Sequence, residues 1–436
     1  FSRSCLAKEP QAFAHAHQSS AAEADWRTEM SFDKAPRSNR IHIAILGRMN
    51  SGKSSLINTL ADQDVAVVSP MAGTTTDIVY KSMEIHGTGP VVFIDTPGVD
   101  DDSLLSEARV ARTMRAINKA DMAVVVVDAK LGEGEPEAQL YSCLERKRVP
   151  YIVTVNKTDL CDADCVLCDG AGASGEGDAP RVCVSARTGR GKEELLGAIS
   201  RLAQSVGGLG EGPPIVGDLV SCGDMVVLVI PADAQAPKGR LILPQVQTIR
   251  DVLDHEGIAV AVRIDQLRQL FADKDFLPRL VVTDSQAFGE VAPVVPESVP
   301  MTSFSILFAR HKGDFELLVE GARAIEGLEP GDVVLISEAC THHPIEDDIG
   351  TVKIPRLLNA KVGGELRYEW QRGGDFPEDL DRFKLVINCG GCMLNRREMC
   401  SRLEAVADAA VPVTNYGMAI AACLGILPRA LRPFAL

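Results

Sequence analysis

Residues 47–54 read Gly47-Arg48-Met49-Asn50-Ser51-Gly52-Lys53-Ser54 and match the pattern G-x-x-x-x-G-K-S/T. An apolar strand is predicted before this stretch and a helix after it, as the pattern requires. The glycines let backbone N–H groups turn inward around a β-phosphate, Lys53 brings positive charge to the β and γ oxygens, and Ser54 offers a hydroxyl to Mg²⁺. The alternative is a purely structural glycine turn. The predicted nucleotide-contacting residues are Gly47, Asn50, Ser51, Gly52, Lys53, Ser54 and Ser55.

Strand and helix signals alternate along the whole chain. Between residues 40 and 206, apolar runs of strand length such as 122–128 and 150–155 are separated by helical stretches. Such runs indicate a parallel sheet covered on both faces. We therefore predict an α/β fold with a P-loop domain at 40–206. Two further α/β units are predicted at 215–300 and 301–436, after segments rich in glycine and proline.

Three further motifs end predicted strands and bear on which nucleotide is bound. Asp95-Thr96-Pro97-Gly98 is expected to place the Asp95 carboxylate beside the metal and the Gly98 amide near a γ-phosphate. Asn156-Lys157-Thr158-Asp159 ends in an aspartate that can accept hydrogen bonds from guanine N1 and N2, a donor pair that adenine lacks. In Ser185-Ala186-Arg187 a backbone amide is expected to meet guanine O6.

The order and spacing of the four motifs resemble those of translation-factor-like GTPases, and residues 73–77 are similar to the Era and TrmE branch. The resemblance implies that Thr75 binds Mg²⁺ together with Ser54, and that Asn50 is associated with a bound K⁺. Val99 stands where Ras-like enzymes carry a water-orienting glutamine. We therefore expect slow GTP hydrolysis that K⁺ stimulates. The predicted catalytic residues are Lys53, Thr75, Asp95 and Gly98.

A pair of cysteines flanks two glycines in Cys389-Gly390-Gly391-Cys392, between a predicted strand and a predicted helix. Thiols beside a helix N-terminus are expected to have a lowered pKa and to suit an anionic cluster. Cys340 also ends a predicted strand. Because the carboxyl ends of parallel strands meet at one edge, we expect Cys340, Cys389 and Cys392 to converge on an Fe–S cluster or zinc. The alternative is a redox-inert pair of core cysteines.

Several blocks of sequence resemble the [FeFe]-hydrogenase maturation GTPases, from about residue 40 to Tyr416. The blocks are Leu241-Ile-Leu-Pro-Gln-Val-Gln-Thr-Ile-Arg250, Val281-Val-Thr-Asp-Ser-Gln-Ala-Phe288, Cys340-Thr-His-His-Pro-Ile-Glu-Asp-Asp-Ile-Gly350 and Cys389-Gly-Gly-Cys-Met-Leu-Asn-Arg-Arg-Glu-Met399. The resemblance implies a scaffold that holds a [4Fe–4S] cluster, receives a diiron precursor from two radical S-adenosylmethionine maturases and passes it to apo-[FeFe]-hydrogenase. It also implies a homodimer, with a dimerisation domain at 215–300 and a cluster-binding domain at 301–436.

One position bears on the fourth ligand of that cluster. Asn388 stands where the family pattern has either His or Asn, and an amide is a poor iron ligand. Three cysteines then leave one iron open to an exchangeable ligand. The candidates are His342, His343, a carboxylate of Glu346, Asp347 or Asp348, and solvent. The alternative is that His342 and the acidic run only shape their loop.

The 436-residue chain is acidic, with 45 Lys and Arg against 60 Asp and Glu and a formal net charge of −15. This balance argues against nucleic-acid binding through bulk charge. No apolar run reaches the ~18 to 20 residues that span a bilayer. We therefore predict a soluble protein with neither a nucleic-acid nor a membrane partner. The rival function is an RNA- or ribosome-associated GTPase with a structural zinc site.

Two segments stand apart from this interpretation. Cys161, Cys165 and Cys168 have the spacing of a radical S-adenosylmethionine cluster motif, but Leu167 replaces the usual aromatic residue, so we expect incidental thiols. A radical enzyme is the second rival. Residues 1–39 are predicted to be a disordered tail. If that tail is the remnant of a transit peptide, the expected compartment is an organelle stroma or matrix, and otherwise the cytoplasm.

Overall fold

The computed structural model describes residues 40–61, 79–98, 106–161, 179–205, 212–231, 241–273, 275–339, 348–373, 377 and 379–435. All of them lie within one unit, Pro36–Leu436. In these residues three sheets follow one another along the chain. The predicted α/β fold is confirmed. None of the described helices is long and apolar enough to cross a membrane.

The first sheet has the strand order β2-β3-β1-β4-β5-β6. Its strands are β1 (Ile41–Leu46), β2 (Val79–Ile85), β3 (Gly89–Asp95), β4 (Met122–Asp128), β5 (Tyr151–Asn156) and β6 (Arg181–Cys183), and its helices are α1 (Lys53–Leu60), α2 (Ser106–Lys119), α3 (Glu135–Arg146) and α4 (Lys192–Ser205). Helices on both faces bury the continuous apolar strands, which explains their composition. Every pairing is parallel except that of β2 with β3.

The second sheet has the order β10-β9-β7-β8. Its strands are β7 (Met225–Val229), β8 (Ile258–Val262), β9 (Leu280–Thr283) and β10 (Met301–Ser303), and its helices are α5 (Leu243–Asp254), α6 (Ile264–Leu270), α7 (Phe288–Val291) and α8 (Phe304–Lys312). The predicted boundary at residue 300 falls between β9 and β10, which pair with Met301 opposite Val281. The proline-rich segment before Met301 therefore connects strands of one sheet. The division of the chain into domains stays a prediction.

The third sheet is parallel throughout, in the order β12-β11-β13-β14. Its strands are β11 (Val333–Glu338), β12 (Arg367–Arg372), β13 (Leu385–Asn388) and β14 (Val413–Asn415), and its helices are α9 (Phe315–Arg323), α10 (Ile354–Val362), α11 (Arg396–Asp408), α12 (Tyr416–Cys423) and α13 (Leu427–Leu431). One apolar core runs from the second sheet into the third, so that Val281 and Ile387 belong to the same cluster.

Helices α2 and α11 meet in a contact that we call the α2–α11 junction. The Asn395 side-chain amide donates to the carbonyl of Lys119 at 2.8 Å, and the Lys119 ammonium pairs with Glu398 at 3.1 Å. Arg397 also donates to the carbonyl of Lys147. Because α2 lies shortly after Gly98 and α11 begins shortly after the cysteine loop, the junction joins the two predicted functional regions.

Candidate functional site

The loop between β1 and α1 has a conformation that depends on glycine. Gly47 and Gly52 have φ angles of +138° and +93°, in the region that favours glycine. A Cβ at Gly47 would collide with the carbonyl of Val126, and one at Gly52 with the side-chain amide of Asn156. The loop is thus packed directly against strands β4 and β5. Asn50 also adopts a positive φ, +60°.

Lys53 and Ser54 begin helix α1, where Lys53 faces the phosphate loop and Ser54 faces the Asp95 carboxylate. The Lys53 ammonium is almost fully buried and donates to the carbonyls of Gly47 at 3.0 Å and Arg48 at 2.8 Å. Ser54 Oγ donates to Asp95 Oδ2 at 2.7 Å. Ser55 is exposed on the next position of the helix.

The Ser54–Asp95 pair fits a magnesium ion. Asp95 Oδ1 is buried and has no hydrogen-bond partner among the residues that the structure describes. Hydroxyl and carboxylate oxygens are the ligands that Mg²⁺ prefers. Gly98 lies so close to the backbone of Met49 that a Cβ would clash, which brings the Asp95–Gly98 motif against the phosphate loop. Thr75 and Val99 lie outside the described residues.

Asn156 connects the phosphate loop to the motif at residues 185–187. Its Nδ2 donates to the carbonyl of Ser51 at 2.9 Å, and its Oδ1 accepts from the amide of Ala186 at 3.0 Å. The Ala186 amide therefore bonds to Asn156, and its contact with guanine O6 stays a prediction. Lys157 has a φ of +67° and pairs with Asp128 at 2.7 Å.

Asp159 is held in its ionised form. Ser185 Oγ donates to Oδ1 at 2.6 Å, and Arg187 Nε lies 3.0 Å from Oδ2. The hydrogen bond from Ser185 and the charge of Arg187 lower the pKa of Asp159. An ionised aspartate at this place can accept from two adjacent N–H groups of a base.

An ion pair between the phosphate loop and a buried glutamate was not expected from the sequence. Arg48 NH2 lies 2.5 Å from Oε2 of Glu137, which is buried near the start of α3 and also accepts from the amide of Gly134 at 2.9 Å. The pair fixes the second residue of the loop to α3. The partners are 89 residues apart, and no motif in the sequence indicates them.

The second candidate site is the cysteine loop, residues 389–394, at the carboxyl end of β13. The Cys389 amide donates to the carbonyl of Ser337 at 2.8 Å, and the Ala339 amide donates to Cys389 Sγ at 3.2 Å. Burial raises the pKa of the Cys389 thiol. The prediction of a lowered pKa is therefore wrong for Cys389, because loss of hydration outweighs the nearby N–H groups.

The predicted third cysteine, Cys340, and His342 lie outside the described residues. Within the described part of the chain, no group of three or more His, Cys, Asp or Glu side chains is arranged to hold a metal. Asp348 Oδ1 accepts from the amide and the hydroxyl of Thr351 at 2.9 and 3.0 Å. This caps the following helical turn, which is the role that the loop-shaping alternative assigned to Asp348. Of the three predicted thiol ligands, Cys389 and Cys392 share the described loop.

Two buried cations lie beside the cysteine loop, and no motif in the sequence indicates either. Lys312, at the end of α8, donates to three carbonyls of the loop, and burial lowers its pKa to about 8. Arg402, on α11, donates to Ser337 Oγ at 3.3 Å and to the carbonyl of Gly373 at 2.8 Å. Positive charge is thus concentrated around the thiols. Of the first cysteine group, Cys161 is half-buried at the end of the segment 106–161, and Cys165 and Cys168 lie outside the described residues.

A P-loop, a Ser54–Asp95 pair that fits Mg²⁺ and an ionised Asp159 are typical of a GTPase domain, and comparison with known families agrees. The model of the 50S ribosome-binding GTPase matches residues 42–157. The Hydrogen maturase F dimerization domain matches residues 215–313, and the Hydrogen maturase F tetramerization domain matches residues 314–433. The chain therefore belongs to the hydrogen maturase F family, and the predicted resemblance is confirmed. The two domain models also indicate oligomerisation.

Two curated relatives match a little over a third of the chain. The tRNA modification GTPase MnmE of Roseiflexus sp. (strain RS-1) is 38% identical over 165 residues, which are 36% of this chain and 35% of that protein. MnmE of Bordetella petrii is 35% identical over 164 residues, 37% of this chain and 34% of that protein. The chain thus spans about a third of the length of these relatives.

Solved structures with similarity are also GTP-binding proteins. Era of Aquifex aeolicus bound to GDP and AlF₄⁻ is 21% identical, covers 51% of this chain and 92% of its own, and has a TM-score of 0.32. The G domain of the T. maritima FeoB iron transporter is 27% identical, covers 38% of this chain and 99% of its own, and has a TM-score of 0.28. TM-scores this low support no further conclusion.

Proposed function

We propose that this protein is a GTP-hydrolysing scaffold in hydrogenase maturation, which holds a [4Fe–4S] cluster and transfers a diiron precursor to apo-[FeFe]-hydrogenase. The observation that carries the proposal is the cysteine loop at the carboxyl edge of the third sheet. The same chain belongs to this family and has a phosphate loop whose residues are all described. GTP binding and hydrolysis would shift a conformational equilibrium that exposes the cluster or releases a partner.

Hydrolysis is assigned to residues of the first sheet. Lys53 would neutralise the phosphate oxygens, and Ser54 and Asp95 would hold Mg²⁺, directly or through water, with Thr75 as a further ligand. Mg²⁺ supplies the charge that stabilises the transferring phosphoryl group. The Gly98 amide would donate to the γ-phosphate. Asn50 would contact K⁺, which we propose stimulates a slow intrinsic rate.

Cluster binding is assigned to Cys389, Cys392 and Cys340. The donor set suits iron, because thiolates are the usual ligands of Fe–S clusters. The Ala339 N–H bond to Cys389 Sγ and the neighbouring buried cations support an anionic group at this edge. The open fourth position would be filled by an exchangeable ligand such as His342 or solvent.

Self-association is assigned to the second sheet. Its edge strand β8 pairs only with β7 among the described residues, and an unpaired edge favours strand addition. Large apolar side chains on α5 and β8 are exposed, including Leu253 and Ile258. These features support a homodimer through this domain. The two radical S-adenosylmethionine maturases and apo-hydrogenase are the proposed further partners. An organelle or the cytoplasm stays the predicted compartment.

The decisive experiment is anaerobic reconstitution with iron and sulfide, followed by metal analysis and electron paramagnetic resonance. Cys392→Ala should greatly lower bound iron and spare GTP turnover, because the two sites use different residues. Cys222→Ala, at an exposed cysteine of the second domain, is the matched control and should bind iron like the wild type. Intact iron in Cys392→Ala would remove that residue from the site.

Lys53→Ala tests the other half of the proposal. Loss of the ammonium should abolish GTP turnover, since Arg48, the other cation of the loop, is paired with Glu137, while iron content stays near that of the wild type. Loss of both activities would contradict separate sites. Zinc without iron in the wild type would favour the RNA- or ribosome-associated rival, which the tRNA modification relatives make worth testing.

A further inference from the structure

Lys312 occupies an unusual position behind the cysteine loop. It is the last residue of α8, and only 2% of it is exposed. Its ammonium donates to the carbonyls of Gly391 at 3.4 Å, Cys392 at 3.1 Å and Leu394 at 2.8 Å. The ring centre of Phe308 lies 5.7 Å away. One side chain therefore fastens both halves of a loop that follows Lys312 by about eighty residues.

These contacts make the geometry of the loop depend on Lys312. Carbonyls of a short loop point in divergent directions unless a common donor holds them, and a buried carbonyl without a donor is destabilising. With three carbonyls turned toward the ammonium, the loop has fewer accessible conformations. The amide of Gly391 then bonds to Cys389 Sγ, so the same conformation presents N–H groups to the sulfur.

The charge of Lys312 has no carboxylate opposite it in the described part of the chain. All its hydrogen bonds there go to carbonyls, and the described ion pairs do not include it. Burying an ammonium is expensive unless an opposite charge or several dipoles compensate. An anion bound at Cys389 and Cys392 would supply that opposite charge.

We propose that Lys312 is the positioning residue of the cysteine loop, fixing the backbone of residues 391–394 and placing a positive charge next to the group that Cys389 and Cys392 hold. The charge part of this inference rests on the proposed cluster, whereas the loop part does not. Reduction of a cluster adds one negative charge, so a nearby cation stabilises the reduced form and raises the reduction potential.

Three variants separate these effects. Lys312→Met removes the donors and the charge and keeps the length of the side chain. Lys312→Gln keeps a donor and removes the charge. Lys384→Met changes net charge equally at an exposed lysine just before β13 and serves as the control. Circular dichroism and the thermal unfolding midpoint report whether each variant is folded, because the first sheet has cores of its own and GTP turnover would not sense the third sheet.

Hydrogen–deuterium exchange of the apo-protein tests the loop part. Exchange of the amides at 389–395 should be faster in Lys312→Met than in the wild type, intermediate in Lys312→Gln and unchanged in Lys384→Met. Wild-type protection in Lys312→Met would overturn the positioning role. If Lys312→Met does not fold, the comparison of Lys312→Gln with Lys384→Met decides in the same way.

A redox titration of the reconstituted cluster tests the charge part. Both Lys312 variants should shift the midpoint potential to more negative values, and Lys384→Met should not. If the clusters of both Lys312 variants have the same midpoint potential as the wild-type cluster, the charge role is overturned and the proposed function is left intact. A wild type that takes up no cluster would overturn the proposed function and the charge role, and the exchange data would still decide the loop part.

Discussion

At the scale of single residues, Asn156 joins two segments of the predicted nucleotide site. Sequence reasoning assigned it to base recognition from its motif, and the structure adds that its amide ties the phosphate loop to residue 186. The motif residues were predictable because phosphate and guanine impose fixed residue types at fixed spacings. Glu137, Lys312 and Arg402 were not predictable, since each acts on a segment distant in sequence and has no spacing signature.

Asp121 gives the protein a pH-dependent stability. Its carboxylate is buried near the α2–α11 junction, accepts from the amide of His42 at 2.8 Å, and has a pKa raised from 3.8 to about 6, chiefly by burial. The folded state thus binds the proton more tightly than the unfolded chain. Asp121 therefore weakens the fold progressively as pH rises through the interval between these two values.

Asp121→Asn should remove this dependence, because the asparagine carbonyl can still accept from His42. The variant should be more stable than the wild type above the folded pKa of about 6, and the two should converge below 3.8. A shift of this size corresponds to at most about 3 kcal/mol. Denaturation midpoints across this range measure it, with exposed Asp408→Asn as the control. A wild-type-to-variant difference that is constant with pH would contradict the expectation.

At the scale of elements, apolar strands were predictable and the polar edge strands β2 and β12 were not. The runs of β1, β4 and β5 are apolar because both faces are covered. The edge strands β2, with sequence VYKSMEI, and β12, with sequence RYEWQR, expose much of their length, so they carry polar residues and show no apolar run. The antiparallel pairing of β2 was missed for the same reason.

Glycine in the phosphate loop leads to a prediction about its shape. Gly52→Ala should abolish GTP binding, because the new Cβ meets the Asn156 amide in addition to straining the backbone. Gly87→Ala is a matched control: its φ is +81°, but a Cβ there meets nothing. The control should lose only about 1 kcal/mol of unfolding free energy and keep its GTP affinity. Titration with a fluorescent GTP analogue measures the GTP affinity of both variants. Equal losses of affinity would show that backbone strain is the cause and the contact with Asn156 is not.

At the scale of the whole molecule, the α2–α11 junction offers a route between nucleotide and cysteine loop. Asn395 caps α11 through the amide of Glu398 and also donates to the end of α2. A displacement of α2 would therefore reach the first residue after the cysteine loop. Sequence reasoning found both regions but not their contact, because packing between distant helices has no local pattern.

Asn395→Asp should uncouple the two regions, since it keeps the cap and removes the donor to Lys119. In the wild type, we expect GTP to change hydrogen exchange of residues 389–395. In Asn395→Asp that change should shrink while GTP turnover persists. Asn359→Asp on α10, outside the junction, is the control. An undiminished GTP effect in Asn395→Asp would exclude this route.

Because the second and third sheets share one core, the chain can be divided before the second sheet but not between the second and third sheets. Separating the protein ahead of residue 212 would leave the apolar interior of each piece whole, because the first sheet has clusters of its own. Cutting the chain between β10 and β11 would expose to solvent the apolar core that the second and third sheets share. The second and third sheets therefore depend on each other for their stability. The GTPase domain is the part that can be removed or replaced alone.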